Sequence, residues 1–362
     1  MASQKIKFQG FEALRVFAII MVVAGHIGLL QNTAGGIGNK IFFVLSGFLA
    51  YFSTEHIDSI RSLLQFYLKK LLRIVPTYWL IIVAAWRMFP GIFVLRDFST
   101  NQSLLLNLCF VRSFGHLWFM QQIMLMYLCA PLLQLPLRWM KQIWKRRNAD
   151  SVLPFAISAA VIILAAFAQK NFITSEVFCL SGEGSHAQFQ IWIFMFGFAA
   201  ANVYEIWVRC TLHLKRENGL KVLPVFTGIY ITCFFLSLFL FVVPYFHTKY
   251  AVAAQVMDSG LLRTVLSSLA VLLIAFVSGS RIAGVLGNPV FVILSDISFG
   301  IYMVHFFFLG NFRTESGIQN FLSNFLFSMC VAFFIYHFLE QPISEKLKKK
   351  SQSGQQNENK RI

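Results

Sequence analysis

Residues 14–26 read LRVFAIIMVVAGH, an unbroken apolar run bounded by Arg15 and His26. Extended to residues 12–30, it matches the roughly 20 residues needed to cross a hydrocarbon core of about 30 Å. The rest of the chain has the same character. Of 362 residues, 57% are hydrophobic and only 13% charged, against about 25% charged in an ordinary soluble domain. Those proportions exclude a disordered chain, a disulfide scaffold and a typical cytosolic enzyme, because a surface so poor in charge aggregates in water. The formal net charge of +16 by itself suggests nucleic acid. The bilayer is the simpler solvent, and no nucleic-acid partner is expected.

Apolar runs separated by polar or basic breaks place spans near 12–30, 36–53, 74–90, 114–136, 152–168, 189–208, 222–243, 261–278, 289–309 and 321–339. The expected fold class is an all-α polytopic integral membrane protein with about ten transmembrane helices. One membrane-embedded domain is expected over 1–345, followed by a basic, disordered cytoplasmic tail over 346–362. Residues 57–72 mix apolar and basic residues at helical spacing and read as an amphipathic helix on the membrane surface. Pro76 then falls in the first turn of the third span, where its missing N–H is harmless. With the N-terminus inside, 22 of the 31 Lys and Arg residues lie on the inner side and 7 on the outer. That asymmetry sets both termini in the cytoplasm.

No cleavable signal is expected at the N-terminus, and no internal repeat, phosphate loop or GxSxG elbow is present. The six Cys include no CxxC pair, so no metal is expected. Cys109 and Cys179 both fall on the outer side, and a disulfide between them is one open option.

A charged group inside a span costs a few kcal/mol, so each one needs an explanation. Arg15 and His26 are eleven residues apart, which places them on one helix face and roughly 16 Å apart along the axis. One reading has each snorkelling to its own interface; the other makes the aligned pair functional. His116, in GHLWFM at 115–120, and His305, in ISFGIYMVHFFF at 297–308, fall at the same outer depth as His26. Tyr302 shares a helix face with His305. Three histidines from three helices suggest a polar pocket open to the outside, with His305, Tyr302, His116 and Trp118 as lining residues. Membership of the aromatic belt fits Trp118 and Tyr302 equally well. On the inner side, Lys70 and Arg73 in KKLLRIVPTYW (69–79) point the same way. Such a pair suits a phosphate-bearing ligand, and it also suits simple anchoring to acidic lipid.

These residues resemble the acyltransferase 3 family of integral membrane O-acyltransferases. LRVFAIIMVVAGH is similar to the family's first helix, and FFVLSGFLAYF (42–52) to its second. KKLLRIVPTYW, GHLWFM, ISFGIYMVHFFF and FLEQPISEKL (338–347) resemble its later landmarks, in order. The likeness covers about residues 10–347. It departs at Val16, where the family usually has Gly, at Lys70, where Arg is more common, and at Lys40. The resemblance implies transfer of an acyl group, usually acetyl from acetyl-CoA as donor, to a sugar hydroxyl. Acceptors of the family include O-antigen, other cell-surface polysaccharides and lipid-linked precursors. It also implies His26 and Arg15 as the catalytic residues, Lys70 and Arg73 as the donor-binding pair, and a bacterial inner membrane as the location. A C-terminal hydrolase-like domain, common in the family, is not expected here. The rival from another class is a transporter or flippase for a glycan or small organic acid. Glu12, Asp296 and Glu340 all fall near span ends, which leaves that rival without an intramembrane acid–base pair.

Overall fold

The computed structural model describes residues 8–30, 32–88, 100–111, 115–144, 152–172, 190–217, 260–278, 280–309 and 316–347. Among them every regular element is helical: α1 (Phe11–Ile27), α2 (Asn32–Thr54), α3 (Ile60–Met88), α4 (Thr100–Leu108), α5 (Trp118–Leu133), α6 (Leu135–Trp144), α7 (Leu153–Phe172), α8 (Ile191–Glu217), α9 (Gly260–Val277), α10 (Arg281–Leu286), α11 (Pro289–Phe308) and α12 (Gly317–Ile335). Eight described helical stretches are long and apolar enough to cross a membrane, beginning with Gly35–Thr54 and ending with Gly317–Leu347. The chain is an all-α polytopic membrane protein. The expected span at 222–243, Cys179 and most of the tail lie outside the described residues.

The LRVFAIIMVVAGH run forms α1, a helix of 17 residues at the short end of what a bilayer requires. Gly10 and Gly28 bracket it, both with positive φ (97° and 80°), a backbone conformation that only glycine adopts without strain. Ala18, Val22 and Val23 are fully buried, and burial continues around the helix through Phe11 and Met21. A helix buried on several sides belongs in the interior, and α1 packs against α2 and α11, with smaller contacts to α9 and α12. The second signature, FFVLSGFLAYF, lies within α2. A side-chain carbon at Gly47 would meet the carbonyl of Phe194 on α8, and one at Gly197 on α8 would meet the carbonyl of Val44 on α2. The two glycines let these backbones touch, the usual means of close helix association in a bilayer. Helices α8, α9 and α5 pack around α2, and α7 covers α8.

One expectation is corrected. Residues 57–72 do not form a separate surface helix ending before a new span at 74. Instead α3 runs unbroken for 29 residues from Ile60 to Met88, with Pro76 in its interior. Proline deletes one backbone hydrogen bond, a loss that packing against neighbouring helices makes tolerable within a membrane. Three polar contacts tie this stretch down: Tyr67 Oη donates to the Leu128 carbonyl at 3.0 Å, and Tyr78 Oη and Trp79 Nε1 donate to the carbonyls of Asn107 and Leu108, also at 3.0 Å. At the far end of the bundle, α12 passes through a π-helical turn, Tyr336–Glu340, before resuming to residue 347.

Candidate active site

Two contacts define how α1 and α11 run. Arg15 Nη1 donates to the Ser295 hydroxyl at 3.3 Å, and His26 Nδ1 lies 3.0 Å from His305 Nε2. The sequence separations are 280 and 279, so the helices lie side by side, parallel and nearly in register. Asn288 makes this register possible by capping α11 through bonds from the Val290 and Phe291 amides, with Pro289 in the first turn. The result is a polar ladder inside an apolar bundle, with arginine–serine at one end and a histidine pair roughly 16 Å away.

The histidine end is built from three elements. Gly115–Leu117 forms a short 3-10 turn ahead of α5. Within it His116 Nε2 lies 3.0 Å from the Met303 carbonyl on α11, and Tyr302 Oη donates to the His116 carbonyl at 2.6 Å. These reciprocal bonds lock the turn to α11. The His116 ring stacks on Phe306 at 4.8 Å and meets the His305 ring at 5.0 Å. The His26 ring centre lies 5.1 Å from that of His305 with 29° between the ring planes, and Phe306 is edge-on to His26 at 6.0 Å. Three of the four residues expected to line the pocket are therefore adjacent to His26 or to its partner. Their accessibility differs: His305 is fully buried, and His116 and Tyr302 are 3% and 2% exposed, whereas His26 is partly exposed. Trp118, at 9% exposure, packs against Phe43 and Phe119, and Phe119 is the ring that reaches Tyr302, at 4.9 Å.

The arginine end is also richer than the sequence suggested. Lys70 turns inward, its Nζ 4.2 Å from the ring centre of Tyr127 on α5 and 5.5 Å from that of Phe66. The Tyr127 phenol hydrogen-bonds Ser46 on α2 and lies within electrostatic reach of Lys70, Arg73 and Arg15. Arg73 is exposed. It neighbours Glu340, whose carboxylate accepts a 2.9 Å bond from the Thr77 hydroxyl. Glu12 is accounted for locally, because its carboxylate accepts the Gly10 amide at 3.0 Å at the start of α1.

Arg15, Lys70 and Arg73 thus gather near one phenol, and His26, His305, His116 and Tyr302 gather at the opposite end of the ladder. Ser295, Phe306, Tyr127 and Ser46 belong to these clusters and went unnoticed in the sequence. Ser295 is ten residues before His305 on α11, nearly the Arg15–His26 interval, and this matched spacing was the available signal. Ser46 lies within the FFVLSGFLAYF signature, whereas nothing in the local sequence marks Tyr127.

Comparison with known proteins identifies the family. The O-acetyltransferase OatA of Staphylococcus aureus is 34% identical over 74 residues in strains NCTC 8325 / PS 47, COL and MRSA252. That match covers 18% of this chain and 12% of the relative's length. No solved structure matches the chain significantly. The family model described as an acyltransferase domain matches residues 8–337, a region containing both ends of the ladder. The chain belongs to the acyltransferase 3 family.

Proposed function

We propose that this protein is a bacterial inner-membrane O-acyltransferase moving an acyl group, acetyl in the first instance, from cytoplasmic acyl-CoA to a sugar hydroxyl of a cell-surface polysaccharide or its lipid-linked precursor. The observation that carries the reading is the ladder along α1 and α11, with cations at one end and a partly exposed imidazole at the other. Acetyl as the acyl group rests on the likeness to the staphylococcal O-acetyltransferase. The basic residues concentrated at the α3 end of the ladder favour a cytoplasmic orientation for that end.

Lys70 and Arg73 would hold donor phosphates, with Lys70 acting as a point charge and Arg73 offering a planar fork. The pantetheine arm would extend along α1 toward His26. There the imidazole takes the proton of the acceptor hydroxyl as its oxygen bonds to the thioester carbonyl carbon. The carbon–sulfur bond then breaks, and the CoA thiolate takes the proton back from the imidazolium. Arg15 would steady the donor or the negative charge that develops during transfer. O-antigen is the acceptor to assay first.

The reading is tested by incubating membranes that carry the protein with radiolabelled acetyl-CoA, and by comparing acetyl content of surface glycan with and without the gene. Label entering glycan and acetyl lost on deletion are expected. Unchanged acetyl content with no labelled product contradicts the activity and returns transport to consideration.

A further inference from the structure

His305 is fully buried, yet both its ring nitrogens have neighbours. Nδ1 lies 2.8 Å from the Tyr302 carbonyl and 3.3 Å from that of Ile301. Nε2 lies 3.0 Å from His26 Nδ1. A carbonyl oxygen only accepts, so Nδ1 of His305 carries the proton and donates. Among the described residues, the surroundings of this ring are imidazole, aromatic and carbonyl groups, with the His116 and Tyr302 rings at 5.0 and 5.8 Å. A buried imidazole without a carboxylate partner stays neutral, because an unpaired buried charge is too costly. A neutral ring with its proton on Nδ1 has a bare lone pair on Nε2. The 3.0 Å contact is then a hydrogen bond only if His26 donates from Nδ1. That leaves the basic lone pair of His26 on Nε2.

We infer that His305 is a positioning residue, whose buried Nε2 fixes His26 as the Nδ1-protonated tautomer and so directs the basic Nε2 of His26 to the acceptor hydroxyl. The group that orients a catalytic histidine is usually a carboxylate or a backbone carbonyl; here a second imidazole fills the place, and the backbone of α11 in turn sets that imidazole's tautomer. The arrangement is braced from behind. His116 Nε2 donates to the Met303 carbonyl, and the Tyr302 hydroxyl donates to the His116 carbonyl. Together these bonds hold the Tyr302–His305 turn against the turn ahead of α5. The inference rests on His26 being the base in acyl transfer, and it adds a role distinct from contact with substrate.

Two measurements separate the inference from that reading. The first needs neither donor nor acceptor. In protein labelled with nitrogen-15 histidine, the His26 resonances are assigned by their loss in His26→Ala. They should report a protonated Nδ1 and a bare Nε2 in the neutral ring. The second compares His305→Gln with His305→Leu in transfer from acetyl-CoA. Gln offers an oxygen to His26 and an N–H to the Tyr302 carbonyl, whereas Leu offers neither. His305→Leu should lower kcat by about 10- to 100-fold with the KM for acyl-CoA unchanged, and His305→Gln should recover most of that loss. A protonated Nε2 on His26 in the unmodified protein overturns the inference, even if His26→Ala is inactive. Equal losses in the Gln and Leu variants, or full activity in the Leu variant, overturn it as well.

Discussion

Arg15 on α1 reaches Ser295 on α11 through a 3.3 Å hydrogen bond, one end of a ladder whose other end joins the same two helices at His26 and His305. Ser295 is 5% exposed, and Arg15 is only partly exposed. The bond therefore aims the guanidinium along the helix seam. Ser295→Ala should reduce kcat/KM by roughly tenfold, the low end for a hydrogen bond to a charged group, given its length. Arg15→Ala, which removes the charge itself, should cost at least ten times more. Equal effects from the two variants would show that the serine contact, and not the positive charge, is the part that matters.

Lys70 and Tyr127 supply the second prediction. With the Lys70 ammonium 4.2 Å from the ring centre, the phenol holds the cation inside the bundle rather than out in the headgroups. Such a contact contributes about 0.5–2 kcal/mol. Tyr127→Leu should therefore raise the KM for acyl-CoA by about threefold to tenfold while kcat holds. Tyr127→Phe keeps the ring and should fall between Leu and the unmodified protein. An unchanged KM in both variants would detach Tyr127 from donor binding.

The α2–α8 contact gives a stability prediction that does not involve catalysis. Gly197→Leu forces a side chain into the Val44 carbonyl across the contact. Overpacking of this kind costs about 1–3 kcal/mol, and should lower the unfolding midpoint in detergent by several degrees. Gly284, where an added carbon meets nothing within 4 Å, should accept Ala with no such drop. Equal midpoints for the two glycine variants would argue against direct backbone contact between α2 and α8.

The continuity of α3 has its own test. Pro76 interrupts the hydrogen-bond ladder of a helix that is otherwise regular from Ile60 to Met88. Pro76→Ala restores the missing N–H, so it should leave the unfolding midpoint equal or higher. A marked fall would mean that the proline makes a bend the structure depends on.

Much of this was readable in the chain because lipid punishes polarity severely. The apolar runs marked the described spans, and Arg15 and His26 stood out because little else in LRVFAIIMVVAGH is polar. Helical periodicity then placed the two on one face. Pairing across helices lies beyond such arithmetic. His305 was visible as an intramembrane histidine, but which nitrogen faced which partner depends on the register of α11 against α1. The unity of α3 was hidden because a basic amphipathic stretch followed by proline reads equally well as a surface helix or as the lower end of a longer one. Tyr127 could not be singled out, since one aromatic among many in an apolar helix has no local mark of function.

The central claim is that His26 removes the acceptor proton. Transfer of labelled acetyl from acetyl-CoA to glycan, measured in membranes holding equal amounts of unmodified protein and His26→Ala, tests it most directly. A positioned general base accounts for about 10²- to 10⁴-fold in rate, so the variant should lose at least hundredfold in kcat while still binding acyl-CoA. Acetyl transfer at the unmodified rate in His26→Ala would contradict the account.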